Sequence, residues 1–343
     1  MVVTLKDIAR DLGVSVITVS KALRNHSDIS EQTKARVLKR VRELNYRPNL
    51  AARSLVTGRT NLIGFVVPDL LHTFFSDIVR GVSTSLRNSG YTLVVTSSEQ
   101  DPKLERQAVE QLISRRVDVL LIASTQWTVE MFRRIEEVGI PYILIDRSFT
   151  GLPAHFVGVN DEEVGAIATQ HLIDTGCKRI AHIGGPALSP VLGRMEGYKR
   201  ALTKNGLVFD ADLVMSTDRV EEQGDTSGYK ATQILLSQNP RPDGIFCYND
   251  PVAYGATTAI LDAGLRIPED VSVVGCGNLL YNKFLRVPLT SVDQQSAGIG
   301  QRAAKLALQL VEAEEPVVPK SFFLEPRLVV RASTRKPKQT ATA

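Results

Sequence analysis

TLKDIARDLGVSVITVSKALRN, residues 4–25, has the pattern of two short helices joined by a tight turn. Thr4 can cap the first helix, with Asp7 three residues later in a capping-box arrangement, and Gly13 suits the C-terminal turn. Ser15 can cap the second helix. Two helices joined across a glycine-containing turn are typical of a helix-turn-helix.

The following residues extend this pattern to a unit of three helices. Ser30 can cap a third helix, whose apolar side chains are Val37, Val41 and Leu44, and Pro48 lies just beyond its end. We therefore predict an all-α head over residues 1–47.

Charge is distributed unevenly along the 343 residues. Residues 1–60 contain 12 Lys and Arg against 5 Asp and Glu, whereas the rest of the chain contains 29 against 32, for a net charge of +4. A basic head on a mildly acidic body indicates that the head meets a polyanion. The alternative is chance clustering of solvated Lys and Arg.

The segment RPNLAARSLVTGRT, residues 47–60, connects the head to the rest of the chain. Pro48 and Asn49 can start a helix that Gly58 can end. That helix falls short of the roughly 12 to 15 residues needed for stability in isolation. We interpret residues 48–59 as a linker, or hinge, that is helical only when something packs against it.

From residue 61 onward, short β-rich apolar runs alternate with amphipathic stretches, in two successive series. The predicted helices lie at 74–89, 102–115 and 128–138 in the first series and at 161–175, 190–205 and 250–263 in the second, and residues 296–331 offer one more helix and further strands. This alternation predicts parallel sheets covered by helices on both faces. The predicted fold is an α/β core of two doubly wound parallel-sheet lobes, preceded by the all-α helix-turn-helix head. The core should span residues 60–333, with an N-lobe of about 60–159 plus 291–320 and a C-lobe of about 160–290 plus 321–333. Residues 334–343 are expected to form a disordered basic and polar tail.

Several protein classes lack their signatures in this chain. It has no apolar run of about 18 residues and no secretory leader pattern at its N-terminus. The three cysteines and five histidines share no metal-ligand spacing, and nucleotide-binding and hydrolase motifs are absent. We expect no catalysis, no metal and no cofactor, and the isolated cysteines favour a reducing, cytoplasmic setting.

The second predicted helix has an open face opposite its apolar side. Val16, Ile17 and Lys21 project from this face when residues are set at 100° intervals. In a DNA-binding helix-turn-helix this face would enter the major groove of DNA. There Lys21 can donate to guanine O6 and N7, and the aliphatic pair can contact thymine methyl groups. Ser15 is placed for a phosphate. The alternative is that Val16 and Ile17 pack on the third helix.

The N-terminal motif continues with ISEQTKARVLKRVRELNYRPNLAARSL, residues 29–55. Five further motifs follow in order: HTFFSDIVRGV, GRMEGYKRAL, PDGIFCYNDPVAYG, GLRIPEDVSVVG and PLTSVDQ. This series strongly resembles the LacI/GalR family of bacterial repressors. The resemblance implies a homodimer with two DNA-binding heads, a core shaped like periplasmic sugar-binding proteins, and a small-molecule effector between the lobes.

The resemblance also implies which residues meet DNA. Val16, Ile17 and Lys21 match base readers, and Leu55 matches a hinge leucine that is wedged into the centre of a palindromic operator. The alternative for Leu55, compatible with the first, is packing between the two hinges of a dimer. Further contacts, mainly to the DNA backbone, are expected from Leu5, Ser15, Thr18, Ser20, Arg24, Thr33, Tyr46, Asn49 and Ala52.

Effector contacts are expected at the carboxyl ends of the strands, where open α/β sheets bind small molecules. Either phenylalanine of the pair Phe74 and Phe75 can stack on a ring. The residues that match effector-binding positions of the family are Phe74, Phe75, Asp146, Arg194, Gln223, Asn249, Gly277 and Gln294.

The chain departs from the family pattern in this region. Gly277 stands where the family usually has an Asp that binds a sugar hydroxyl, so either Asn278 or Asp69 compensates or the effector is not a simple sugar. Asn160 and Asp161 stand where the order Asp-Asn is common. Asp250 fits a helix cap better than a ligand contact. Cys276 fits a small buried residue better than a redox sensor.

These observations together predict a cytoplasmic bacterial transcription regulator, associated with the nucleoid when bound to DNA. We expect a repressor that binds double-stranded operator DNA as a homodimer, with no membrane association. A carbohydrate or related metabolite would modulate its DNA affinity. The alternative is a solute-binding protein or sensor with the same core and no direct role in gene regulation, although the first 60 residues argue against it.

Overall fold

The computed structural model describes residues 3–23, 25–46, 54, 58–216 and 224–336. The chain divides into two compact units, residues 1–60 and residues 61–343. No helix among the described residues is long and apolar enough to cross a membrane.

The first unit contains the three predicted helices, α1 (Leu5–Leu12), α2 (Val16–Leu23) and α3 (Glu31–Glu43). Thr4 caps α1 and forms the predicted capping box with Asp7, and Gly13 ends the helix in the left-handed conformation at φ 64°. Ser30 caps α3 by accepting a hydrogen bond from the Thr33 amide. The buried side chains of this small core are Ile8, Ala9, Val19, Ala22 and Val37.

The second unit is built from twelve strands over its described residues. In chain order they are β1 (Leu62–Val67), β2 (Thr92–Ser97), β3 (Val119–Ile122), β4 (Tyr142–Ile145), β5 (His155–Val159), β6 (Ile180–Gly184), β7 (Val214–Ser216), β8 (Gly244–Cys247), β9 (Ser272–Cys276), β10 (Thr290–Asp293), β11 (Ser321–Leu324) and β12 (Arg327–Val329).

Eight α-helices accompany these strands in the described part of the unit. They are α4 (Thr73–Ser85), α5 (Pro102–Ser114), α6 (Glu130–Val138), α7 (Asp161–Asp174), α8 (Ser189–Lys204), α9 (Gly224–Leu236), α10 (Asp250–Asp262) and α11 (Ser296–Glu312), with short 3₁₀ helices at Ala211–Leu213 and Leu280–Lys283.

The strands form two six-stranded sheets, as the alternating pattern predicted. The N-lobe sheet has the order β11-β5-β4-β3-β1-β2, and the C-lobe sheet has the order β12-β10-β9-β8-β6-β7. Every strand pair is parallel except β10 with β12. The central strands β3 and β9 are buried along their whole length, because helices cover both faces of each sheet.

The expected division between the lobes is wrong at the C-terminal end. β11 lies within the segment assigned to the C-lobe, but it pairs with β5 in the N-lobe sheet. β10 pairs with β9 in the C-lobe, although most of it was assigned to the N-lobe. The chain therefore crosses between the lobes three times, and each lobe takes one of the last two strands.

The expected start of the disordered tail is also wrong. Thr334 is buried, and its hydroxyl lies 2.9 Å from Nε2 of His171. Arg335 donates hydrogen bonds to the carbonyl oxygens of Pro268 and Glu269. These contacts fix both residues to the C-lobe.

Candidate functional site

The open face of α2 carries the two aliphatic residues predicted to read bases. Val16 is 38% exposed and Ile17 is 68% exposed, whereas Val19 and Ala22 on the opposite side are buried. The alternative of packing on α3 is therefore wrong for the described head, because that contact would bury both side chains. The exposed aliphatic pair is therefore available to contact a partner surface.

Lys21, the third predicted base reader, lies one turn beyond Ile17 and forms an ion pair with Asp28 in the loop between α2 and α3. Oδ1 of Asp28 also lies 3.5 Å from Nδ1 of His26. The hydrogen bond from Lys21 holds the pKa of Asp28 below its ordinary value. Sequence reasoning did not identify Asp28.

Several residues predicted at the DNA backbone lie at helix N-termini. The Ser15 hydroxyl accepts a hydrogen bond from the Thr18 amide at 3.0 Å, at the start of α2. Thr33 lies in the first turn of α3. Helix N-termini bind phosphate through free amides and the helix dipole. Ser20 is partly buried on α2. Leu5 and Tyr46 are partly buried against the head core.

Some predicted contacts fall outside the described residues. They are Arg24, Asn49, Ala52 and Leu55 in the head and hinge, and Gln223 in the core.

The predicted effector residues of the core meet at one cavity between the two lobes. It contains about 40 Å³ of free space, room for about three water molecules. Each sheet contributes the loops that follow its carboxyl ends. Seven of the eight predicted residues line the cavity: Phe74, Phe75, Asp146, Arg194, Asn249, Gly277 and Gln294.

A buried ion pair fixes the charged side of the cavity. Arg194, in the second turn of α8, donates from Nε to Oδ1 of Asp161 at 3.0 Å, and its Nη2 lies 3.0 Å from the same oxygen. Its Nη1 donates to the carbonyl oxygen of Tyr248 at 2.6 Å. Burial raises the pKa of Asp161 to about 6, although the nearby guanidinium opposes this shift.

Two glycines bring Asp161 and Arg194 together by letting α7 and α8 cross closely. A Cβ atom at Gly165 would lie 2.0 Å from the carbonyl oxygen of Arg194. A Cβ atom at Gly197 would lie 2.0 Å from the carbonyl oxygen of Glu162. Neither distance is possible for a larger residue without moving the helices apart.

Side chains from both lobes meet at the floor of the cavity. Nε2 of Gln294 lies 3.5 Å from Oδ1 of Asp146, and Sγ of Cys276 donates to Oε1 of Gln294 at 3.4 Å. Asp146 has a left-handed backbone at φ 63°. The amide of Ser148 in the N-lobe donates to Oγ of Ser189 in the C-lobe at 2.9 Å. Contacts of this kind hold the lobes together across the cavity.

The Cys276 thiol is unsuited to redox sensing. It is buried, and burial raises its pKa to about 12. A thiol with so high a pKa is protonated at neutral pH and unreactive. This finding favours the structural interpretation made from the sequence.

The expected role of Asp250 as a helix cap is wrong, because Asn249 caps α10 with its Oδ1 3.0 Å from the Val252 amide. Nδ2 of Asn249 is buried at the cavity and has no hydrogen-bond partner among the described residues. The carboxylate of Asp250 accepts hydrogen bonds from the Leu279 backbone amide and from the side chains of Ser291 and Asn282. It thereby organises the loop that follows β9, and its burial raises its pKa.

This use of Asp250 explains why residue 277 is a glycine. Gly277 has φ +127°, and a Cβ atom there would lie 3.2 Å from Oδ2 of Asp250. An aspartate at 277 would strain the backbone and place a second carboxylate beside the buried one. At Gly277 the cavity is therefore lined by backbone atoms and not by an acidic side chain. Asn278 instead bonds Asp293 and Arg331.

Sequence reasoning missed several residues that line the cavity, among them His72 and Arg147. His72 caps α4 through Nδ1, and its Nε2 is buried with no hydrogen-bond partner in the described part of the chain. Arg147 lies with its guanidinium carbon 5.6 Å from the centre of the Phe75 ring. Both are neighbours of predicted residues in the sequence. No set of three His, Cys, Asp or Glu side chains suited to a metal ion occurs among the residues described.

Both units of the chain match models of known protein families. Residues 4–49 match the model of the bacterial regulatory proteins of the lacI family, and residues 169–334 match the periplasmic binding protein-like domain. The transcriptional repressor PurR of Vibrio vulnificus is 32% identical over 335 residues, covering 97% of this chain and 99% of PurR. The chain belongs to the LacI family.

Other LacI family relatives extend the match. The ribose operon repressor of Halalkalibacterium halodurans is 31% identical and covers 97% of both chains. The Lac repressor dimer bound to operator and an anti-inducer superposes with a TM-score of 0.86 at 28% identity, over 98% of this chain and all of the repressor. The CelR–cellobiose complex gives 0.73 at 30% identity, over 96% of this chain and 99% of CelR. This chain is a DNA-binding transcriptional regulator with an effector-binding core.

Proposed function

We propose that this protein represses transcription by binding a palindromic operator as a homodimer. The observation that carries the proposal is the exposed pair Val16 and Ile17 beside Lys21 on α2, the helix that a helix-turn-helix places in the major groove. Leu55 is the proposed wedge at the centre of the operator, and the helix N-termini at Ser15 and Thr33 contact phosphates.

The same proposal includes a small-molecule effector, a carbohydrate or related metabolite, that binds between the lobes when they are further apart than in this structure, because the present cavity contains only about 40 Å³ of free space. The buried Nδ2 of Asn249 supports it, because a ligand oxygen can accept the hydrogen bond that this donor lacks. Ribose and cellobiose in the names of two relatives also favour a carbohydrate. We assign no catalytic step and no cofactor to the cavity, and we place the protein in the bacterial cytoplasm, with the DNA.

Regulation in this proposal is a shift between two arrangements of the lobes. A ligand that binds one arrangement better changes the separation of the two hinges in a dimer, and with it the insertion of Leu55. The sign depends on which arrangement the effector prefers, so both induction and corepression are consistent with the geometry.

The test is selection of duplex DNA from a random pool by the full-length protein and by Ile17→Gln. The wild type should select a palindrome, and Ile17→Gln should select a different base at one position of each half-site, because an amide can bond adenine whereas an aliphatic side chain contacts methyl groups. On the wild-type palindrome, Leu55→Ala should bind more weakly while binding unrelated DNA almost normally. An unchanged half-site in Ile17→Gln would contradict the assignment of α2.

A further inference from the structure

The ion pair between Lys21 and Asp28 joins a predicted base reader to an acidic residue on the same small surface of the head. Lys21 lies on α2 with the exposed Val16 and Ile17, and Asp28 lies in the loop before α3. The side chain of Asp28 is 48% exposed. No other acidic side chain of the described head pairs with Lys21. An acidic group on a surface that meets a polyanion repels phosphate and lowers the affinity of that surface for any DNA.

The chemistry of the ammonium group indicates what Asp28 contributes. A lysine ammonium has three N–H donors. One donor bonds Asp28, and the two that remain are enough for O6 and N7 of a guanine. A lysine without this partner has a free charge on a flexible stem and can bond any phosphate within reach. The ion pair therefore permits a base contact while discouraging a phosphate contact.

We propose that Asp28 is a specificity-determining residue, which holds Lys21 for base reading and lowers the affinity of the head for DNA that lacks the operator sequence. This inference rests on the proposed function, since it requires Lys21 to read a base. Asp28 acts through Lys21 and is a positioning residue. It disfavours the wrong partner by withholding a contact, which is one of the two general routes to specificity.

The experiment measures dissociation constants of full-length protein for two duplexes, the palindrome selected by the wild type and a scrambled sequence of equal length, at several salt concentrations. The variants are Asp28→Asn, Asp28→Glu, Lys21→Ala and the double variant Lys21→Ala/Asp28→Asn. Glu43→Gln is the charge-matched control, because Glu43 pairs with Lys39 and Arg40 at the far end of α3.

Asp28→Asn should bind scrambled DNA about tenfold more tightly, and its preference for the palindrome should fall by a similar factor, because Lys21 gains one phosphate contact. The slope of log affinity for scrambled DNA against log salt should steepen by about 0.9. Asp28→Glu should retain most of the preference, because a carboxylate still reaches Lys21. In the Lys21→Ala background, Asp28→Asn should leave the preference unchanged.

Three results would overturn the inference. One is an unchanged preference in Asp28→Asn, and another is an equal fall in Glu43→Gln, which would indicate a general charge effect. The third is an equal fall in the Lys21→Ala background, which would mean that Asp28 acts through another group. A wild type that selects no palindrome would overturn the proposed function together with this inference. In contrast, if the wild type prefers the palindrome and Asp28→Asn has the same preference, the inference alone is overturned and the proposed function stands.

Discussion

Two ion pairs, one in the head and one in the core, differ in solvent exposure and therefore in the role that each can have. Lys21 and Asp28 are 35% and 48% exposed, whereas Arg194 and Asp161 are 5% and 13% exposed. The exposed pair can exchange partners with water, phosphate or a base at little cost. The buried pair cannot, because either member left alone would be a desolvated charge. The head pair is therefore suited to recognition, and the core pair holds the wall of the cavity in place.

The largest effect should come from breaking the buried pair. Asp161→Ala leaves the Arg194 guanidinium buried without its acidic partner, and we expect the free energy of unfolding of the core to fall by about 3 kcal/mol. Urea unfolding of the full-length protein, followed by far-UV circular dichroism, measures this change.

A matched control lies on the same two helices. Arg200 on α8 pairs with Glu163 on α7, and both side chains are about half exposed. Glu163→Ala should therefore reduce stability by only about 0.5 kcal/mol. Similar losses in the two variants would remove the distinction between the buried and exposed pairs.

A smaller effect should follow from a second buried group, His182 on β6. The ring is fully buried, its Nδ1 bonds the carbonyl oxygen of Phe246 at 3.0 Å, and burial lowers its pKa from 6.5 to about 4. Between these pH values the unfolded chain binds more protons than the folded chain. The free energy of unfolding should therefore fall as the pH falls below 6.5, by about 2 kcal/mol between pH 7 and pH 5.

Urea unfolding at both pH values measures this loss, with His182→Gln as the comparison. Burial also lowers the pKa of His155 and of His171, so part of the pH dependence should persist in the variant. A pH dependence as large in His182→Gln as in the wild type would show that His182 is not the group responsible.

The sequence predicted local features of the fold better than features that depend on tertiary contacts. The caps at Thr4 and Ser30 and most core helices were placed correctly, because their signals lie within a few residues. Helix α9 was missed, along with the three-residue strand β7. Apart from Leu235, its buried face consists of the small residues Gly228, Ala231 and Thr232, and a Cβ atom at Gly228 would lie 2.2 Å from the carbonyl oxygen of Val252. Close packing of small residues produces little hydrophobic periodicity.

In the candidate site, too, the sequence identified individual residues but not the tertiary contacts between them. Seven cavity residues were named from the family motifs, but the partnership of Arg194 with Asp161 joins positions 33 residues apart. It depends on two helices crossing at glycines, which no local pattern predicts. Asp28 was missed for a related reason, since its contact with Lys21 requires the loop before α3 to fold back on α2.

The most direct test of the central claim, that the core cavity controls DNA binding by the head, is a fluorescence anisotropy titration of the selected palindrome with and without a saturating effector. The effector would first be identified by a thermal-shift screen of carbohydrates and metabolites. We expect operator affinity to change by about 5-fold to 150-fold, the usual range of allosteric coupling, and Asn249→Ala to require a higher effector concentration for the same change. An operator affinity that stays the same at saturating effector would contradict the claim.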